Sequence, residues 1–133
     1  MSWTRVVLAL AGAGLAVSVV DWFFFGVLFH EKYSAFPEVW RRPRGGAGEA
    51  RAIGLSAVAS LLTSVVFVYL QARTGSTLTH ALGLAVAVWL MAPVPMLVGQ
   101  YLFMKLHPLV TTGHAVGWLA KLVVSAAVAN WLL

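Results

Sequence analysis

Asp21 and Lys121 are the side chains of this sequence best placed to do chemistry, because each is a charge set inside a long apolar run. A charge in a hydrocarbon layer is costly, and it marks either a functional position or a paired one. Opposite charges at one depth form an ion pair. Such a pair can carry a proton or a cation, balance a charged substrate, or simply fix which helices lie side by side. Asp21 lies eight residues before Phe29 and Lys121 eight residues after Gly113, so at about 1.5 Å per residue both are expected about 12 Å deep. Lys121 continues an i+4 stripe of Gly113, Gly117, Ser125 and Ala129, and small residues of this kind let helices approach closely. Asp21 is read as sharing a face with Ser18, Gly14 and Ala11, so both charges are expected to look inward.

Other polar side chains fall in the same half of the chain's apolar runs. Gln100 is expected about 9 Å inside its helix end, with His107 seven residues on along the same face. His114 precedes Lys121 by seven residues, again on one side. With Ser18 and His30, these residues are candidates to line a polar cavity, and a histidine beside a carboxylate suits proton shuttling near neutral pH. The plainer reading makes the histidines interfacial, in contact with water and headgroups. Gly113 and Gly117 beside His114 leave room for a flat ring, which keeps a tetrapyrrole at His114 as a minor option. No metal site is expected: the chain has no cysteine, no His-x-x-x-His and no Glu-x-x-His. Ser56, Ser60 and Ser64 form an i+4 ladder, read as a packing face and not as a nucleophile.

The elements that must carry these groups follow from composition. Of 133 residues, 61% are hydrophobic and 10% charged, and the mean hydropathy is +0.89. A soluble domain of this size cannot hide so much apolar surface. Four apolar stretches, at about 6–29, 52–70, 81–106 and 113–133, are each near the ~20 residues a membrane span needs. Backbone polar groups in lipid must be satisfied within the segment, so the stretches read as helices. The expected architecture is all-α: a single transmembrane domain over 1–133, an integral membrane four-helix bundle. Pro93 and Pro95 remove two backbone donors from the third helix and predict a kink near Ala92, where a broken helix can line a binding site or merely adjust packing.

Arg5 and the apolar run behind it have the look of a signal peptide, but the run continues to Phe29 without a cleavage site and reads as a retained first helix. Residues 30–51 read as a basic, aromatic interfacial loop. Tyr33, Phe36 and Trp40 precede Arg41, Arg42 and Arg44, a pattern suited to an anionic leaflet. The first and third loops carry Lys32, Arg41, Arg42, Arg44, Arg51 and Lys105, against Arg5 and Arg73 on the other side. The positive-inside rule then places those loops in the cytoplasm and both termini outside. The net charge is +5, but most of the basic residues sit in that one loop and form no folded basic face, so no nucleic-acid partner is expected. Membrane lipids with anionic headgroups are the expected partners, together with further copies of the chain or the subunits of a larger membrane complex.

The stretch Asp21-Trp22-Phe23-Phe24-Phe25-Gly26-Val27-Leu28-Phe29 and the basic loop with Trp40 add a further signal. With the Pro-containing third helix, Trp89 to Pro93 through Tyr101-Leu102-Phe103, and a last helix opening at His114, the chain resembles the small bacterial membrane proteins of domain of unknown function 1761. The resemblance implies a four-helix protein of a bacterial cytoplasmic membrane and carries no catalytic residue. Three functions stay open: a ligand- or lipid-binding or accessory module with a polar cavity in the cytoplasmic half, a small oligomeric proton-coupled transporter, and a membrane enzyme acting on a lipid or isoprenoid substrate.

Overall fold

A computed structural model describes residues 3–28, 31, 47–74 and 77–133. The described residues are helical in the main and contain no strand. They fall into α1 (Trp3–Asp21), a π-helical segment (Trp22–Leu28), α2 (Ala47–Thr74), α3 (Leu78–Met91), α4 (Pro93–Phe103) and α5 (Pro108–Leu132). Taken as spans, α1 with its π-helical end, α2, α3 with α4, and α5 are four helices long and apolar enough to cross a membrane.

The helices begin or end about a turn away from where apolar character alone put them. The first starts at Trp3, not residue 6, and the second runs over Ala47–Thr74, not 52–70. Ala47, Ala50 and Arg51 favour helix although the N-terminal end of α2 is not fully apolar. At its other end the Thr74 hydroxyl donates to the Leu70 carbonyl at 2.9 Å, which satisfies a hydroxyl without ending the helix. The third span begins at Leu78, three residues before 81, because Thr77 caps it by accepting the His80 N–H. It ends at Phe103. The last starts at Pro108, five residues before Gly113, because proline suits a first helical position and His107 Nδ1 accepts the Leu109 N–H at 3.1 Å. The third span breaks at Ala92, as the two prolines require. Of the supposed loop 30–51, residues 47–51 belong to α2; His30, Tyr33, Phe36, Trp40, Arg41, Arg42 and Arg44 lie outside the described residues.

Alpha5 packs against every other span. It runs antiparallel to α1, since Gly12 lies against Val128 and Leu132 while Asp21 meets Lys121. It runs antiparallel to α3 as well: Ala81 and Ala85 pack with Leu122 and Ala126, and Trp89 Nε1 donates to the Ala115 carbonyl at 2.8 Å. Its buried positions include Gly113, Gly117, Lys121, Ser125 and Ala129, the i+4 stripe written in the sequence. The facing stripe on α1 is Ala9, Ala13 and Val17, with Gly14 beside it. Two ridges of small residues spaced four apart can interdigitate at short range. Alpha2 also approaches closely, and a Cβ at Gly14 would stand 2.5 Å from the Leu61 side chain.

A membrane-embedded ion pair at the α1–α2–α5 junction

Stepping four residues at a time from Ala9 through Ala13 and Val17 reaches Asp21, the last residue of α1. The inward face of α1 is therefore this stripe. Ser18, one position past Val17, and Ala11, two positions from both Ala9 and Ala13, are exposed, and the Ser18 hydroxyl donates to its own helix at the Gly14 carbonyl, 2.9 Å away. At Trp22 the helix changes to π geometry, whose wider turn ends the i+4 register. Trp22, Phe23, Val27 and Leu28 are exposed along that segment.

Lys121 Nζ lies 2.9 Å from Asp21 Oδ1, so the two charges form the expected pair. The second carboxylate oxygen, Oδ2, accepts the Ser60 hydroxyl of α2 at 2.8 Å. One carboxylate thus ties three helices together. The ammonium also sits over the Trp118 ring, 4.2 Å from its centroid, a cation–π contact from one turn earlier in α5. A lysine side chain in a helix leans toward the N-terminus, which carries Lys121 over Trp118. The two partners are unequally covered: the Lys121 side chain is 8% exposed and that of Asp21 is 25%.

Asp21 is seven residues before Leu28, about 10 Å from the end of its span as the spacing indicated, while Lys121 stands farther into its helix than its distance from Gly113 suggested. Alpha5 starts five residues before Gly113, so Lys121 is thirteen residues from Pro108, about 20 Å along the helix axis. Ser60, its neighbour through Asp21, stands equally far into α2, thirteen residues from Ala47. Such charges are tolerable within a span because they cancel and because Trp118 and Ser60 contact the ammonium and the carboxylate.

The other candidate residues divide. His114, half-buried on α5, is within electrostatic reach of both Lys121 and Asp21. His107 caps α5 and does not enter the pair's hydrogen bonding. Gln100 is half-buried on α4, where its carbonyl accepts the Met104 N–H that closes the helix. The hollow beside Lys121 lies on the α2 side instead, among Ser60, Thr63, Ser64, Phe67, Trp118 and Ser125. At about 10 Å³ it has room for about one water molecule. Among the described residues no group of three or more His, Cys, Asp or Glu side chains could hold a metal ion. Ser60 and Trp118 complete the site without having been singled out for it. The i+4 serine ladder was the available signal for Ser60, and Trp118, at i−3 from Lys121, for the ring.

A second buried polar contact joins α2 to α5 nearer their C-terminal ends. Gln71, 2% exposed, donates from Nε2 to the Ala126 carbonyl at 3.2 Å, while its Oε1 is buried with no hydrogen-bond partner.

Four apolar spans, a proline-broken third helix and a charge pair at mid-span define a multi-pass membrane protein. The chain belongs to the family described as protein of unknown function (DUF1761), whose pattern matches residues 8–130. No curated protein and no solved structure matches it.

Proposed function

We propose that this protein is a membrane-embedded binding or accessory module, in which the Asp21–Lys121 pair offers its carboxylate to an amphipathic ligand or to a partner subunit. The uneven burial of the pair is the observation behind this reading. A purely architectural pair would be sealed on both sides, yet Asp21 keeps 25% of its side chain open while Lys121 keeps 8%. Asp21 Oδ1 is buried against Lys121 and Oδ2 accepts the Ser60 hydroxyl, so a polar group of a ligand or of a neighbouring chain would add to these contacts from the less covered side of the pair. Because Lys121 already balances the charge, a neutral hydrogen-bond donor suits the site better than a cation.

Transport has less behind it. Lys121 occupies the carboxylate that cation exchange would need, and the adjoining hollow has room for about one water. In this reading the basic first loop faces anionic headgroups on the cytoplasmic side, with both termini outside, and the protein works as a homo-oligomer or as a subunit of a larger complex.

Native mass spectrometry of the protein released from mild detergent tests the proposal. A reproducible added mass, or a co-purifying subunit, that disappears in both Asp21→Asn and Lys121→Met supports it. Retention of the same mass in both variants, or bare protein in every case, contradicts it.

A further inference from the structure

The break in the third span carries an inference of its own, independent of the charge pair. In an α-helix the carbonyl of residue i accepts the N–H of residue i+4. Residues 93 and 95 are prolines, so the carbonyls of Trp89 and Met91 have no such donor. The hydrogen bonds at the break confirm where the ladder stops and resumes: Ala92 N–H donates to the Val88 carbonyl at 3.2 Å, and Met96 N–H donates to the Ala92 carbonyl at 3.3 Å. Between them the geometry leaves the helical range, with Ala92 at φ −124° and ψ −64°.

The two carbonyls differ in surroundings. Trp89 is half-buried, with its indole bonded to α5. Around Met91 the residues are open: Met91, Ala92, Pro95 and Met96 are all exposed, Met91 to 76% and Met96 to 51%. Ala92 is the fifteenth residue of a span that runs from Leu78 to Phe103, so this acceptor lies near mid-membrane. An unsatisfied carbonyl at that depth costs several kcal/mol in pure hydrocarbon. It needs a donor, and the donor must arrive through lipid.

We infer that the Met91 carbonyl at the α3–α4 break is a hydrogen-bond acceptor site for the hydroxyl group of a membrane-dissolved, long-chain alcohol. The neighbouring side chains fit that class of ligand. No charged side chain adjoins the break in sequence from Leu78 to Phe103, so a charged headgroup would find no counter-charge there. Met91 and Met96 flank the carbonyl with flexible, polarisable side chains that adapt to an apolar body. The hydroxyl supplies the missing donor, and the hydrocarbon tail lies along the exposed face of α3 and α4.

The experiment uses the full chain in lipid nanodiscs and two probes: a diazirine-tagged hexadecanol and its methyl ether, which has the same body but no donor. Labelling should favour the alcohol on the order of fivefold to tenfold, with the adduct on α3–α4 near Met91 or Met96. Pro95→Ala restores the donor that Met91 lacks and should bring the two probes to equal labelling. Pro93→Ala, which repairs only the Trp89 carbonyl, should leave the preference in place. Equal labelling by alcohol and ether in the unaltered protein would overturn the inference and point to water at the break. A preference that survives Pro95→Ala would overturn it as well. Both proline replacements favour helix, so loss of folding does not confuse the result.

Discussion

Alpha2 is tied to alpha5 at two places built in opposite ways, once through Asp21 of α1 and once directly. At mid-span, Asp21 Oδ1 is paired with the Lys121 ammonium by charge alone, Oδ2 accepts the Ser60 hydroxyl, and the Trp118 ring covers the ammonium. Closer to the C-terminal ends, Gln71 reaches the Ala126 carbonyl with one half of its amide and leaves the other half without a partner. The difference lies in what removal exposes. Taking away one member of the charged group strands a buried charge, whereas taking away Gln71 removes an unmet acceptor. Hydrogen-bond presence is therefore a poor guide to importance, and the state of the group left behind is the better one.

The largest effect should come from Asp21→Asn, which leaves the Lys121 ammonium nearly buried without its counter-ion. We expect a loss of about 3 kcal/mol, read from unfolding in mixed micelles. A loss below about 1 kcal/mol would place both groups on the same footing and dissolve the contrast. Ser60→Ala should cost about 1.5 kcal/mol by the same measurement, because the hydroxyl donates to a charged oxygen. Trp118→Phe keeps a ring of weaker attraction, so its effect should be smaller, about 0.5 kcal/mol. Gln71→Leu should fall within about 0.5 kcal/mol of zero, or stabilise, since the Ala126 carbonyl retains its place in the α5 ladder. If Gln71→Leu instead costs as much as Asp21→Asn, its second amide atom is bonded to something as essential as a counter-ion.

Much of this was legible in the residue order. Four apolar runs gave the four spans, and two prolines two residues apart gave the break at Ala92. The small-residue stripe on α5 gave the inward direction of Lys121, because glycine and alanine spaced four apart have few uses other than close packing. The face of α1 was misjudged by one position. Ser18 is three residues from Asp21 and Val17 four, and only packing against α5 decides which lies on the buried side. Ser60 shows a similar limit. Serines in apolar helices commonly bond back to their own carbonyls, as Ser64 does to Ser60 and Ser18 to Gly14. Whether one of them turns toward a carboxylate depends on the rotation of α2 about its axis, which periodicity does not fix. Helix ends were missed because caps and prolines, not hydropathy, set them. The π-helical stretch after Asp21 has no proline and no other signal that we can identify in Trp22-Phe23-Phe24-Phe25-Gly26.

The double-mutant cycle on Asp21→Asn and Lys121→Met tests the central claim most directly, because it isolates the interaction between the two residues from the cost of changing either. Measured by reversible unfolding in mixed micelles, the double variant should be more stable than the sum of the single losses implies, by at least about 1 kcal/mol. Strict additivity of the two losses would mean that Asp21 and Lys121 do not hold each other, and that something else joins α1 to α5.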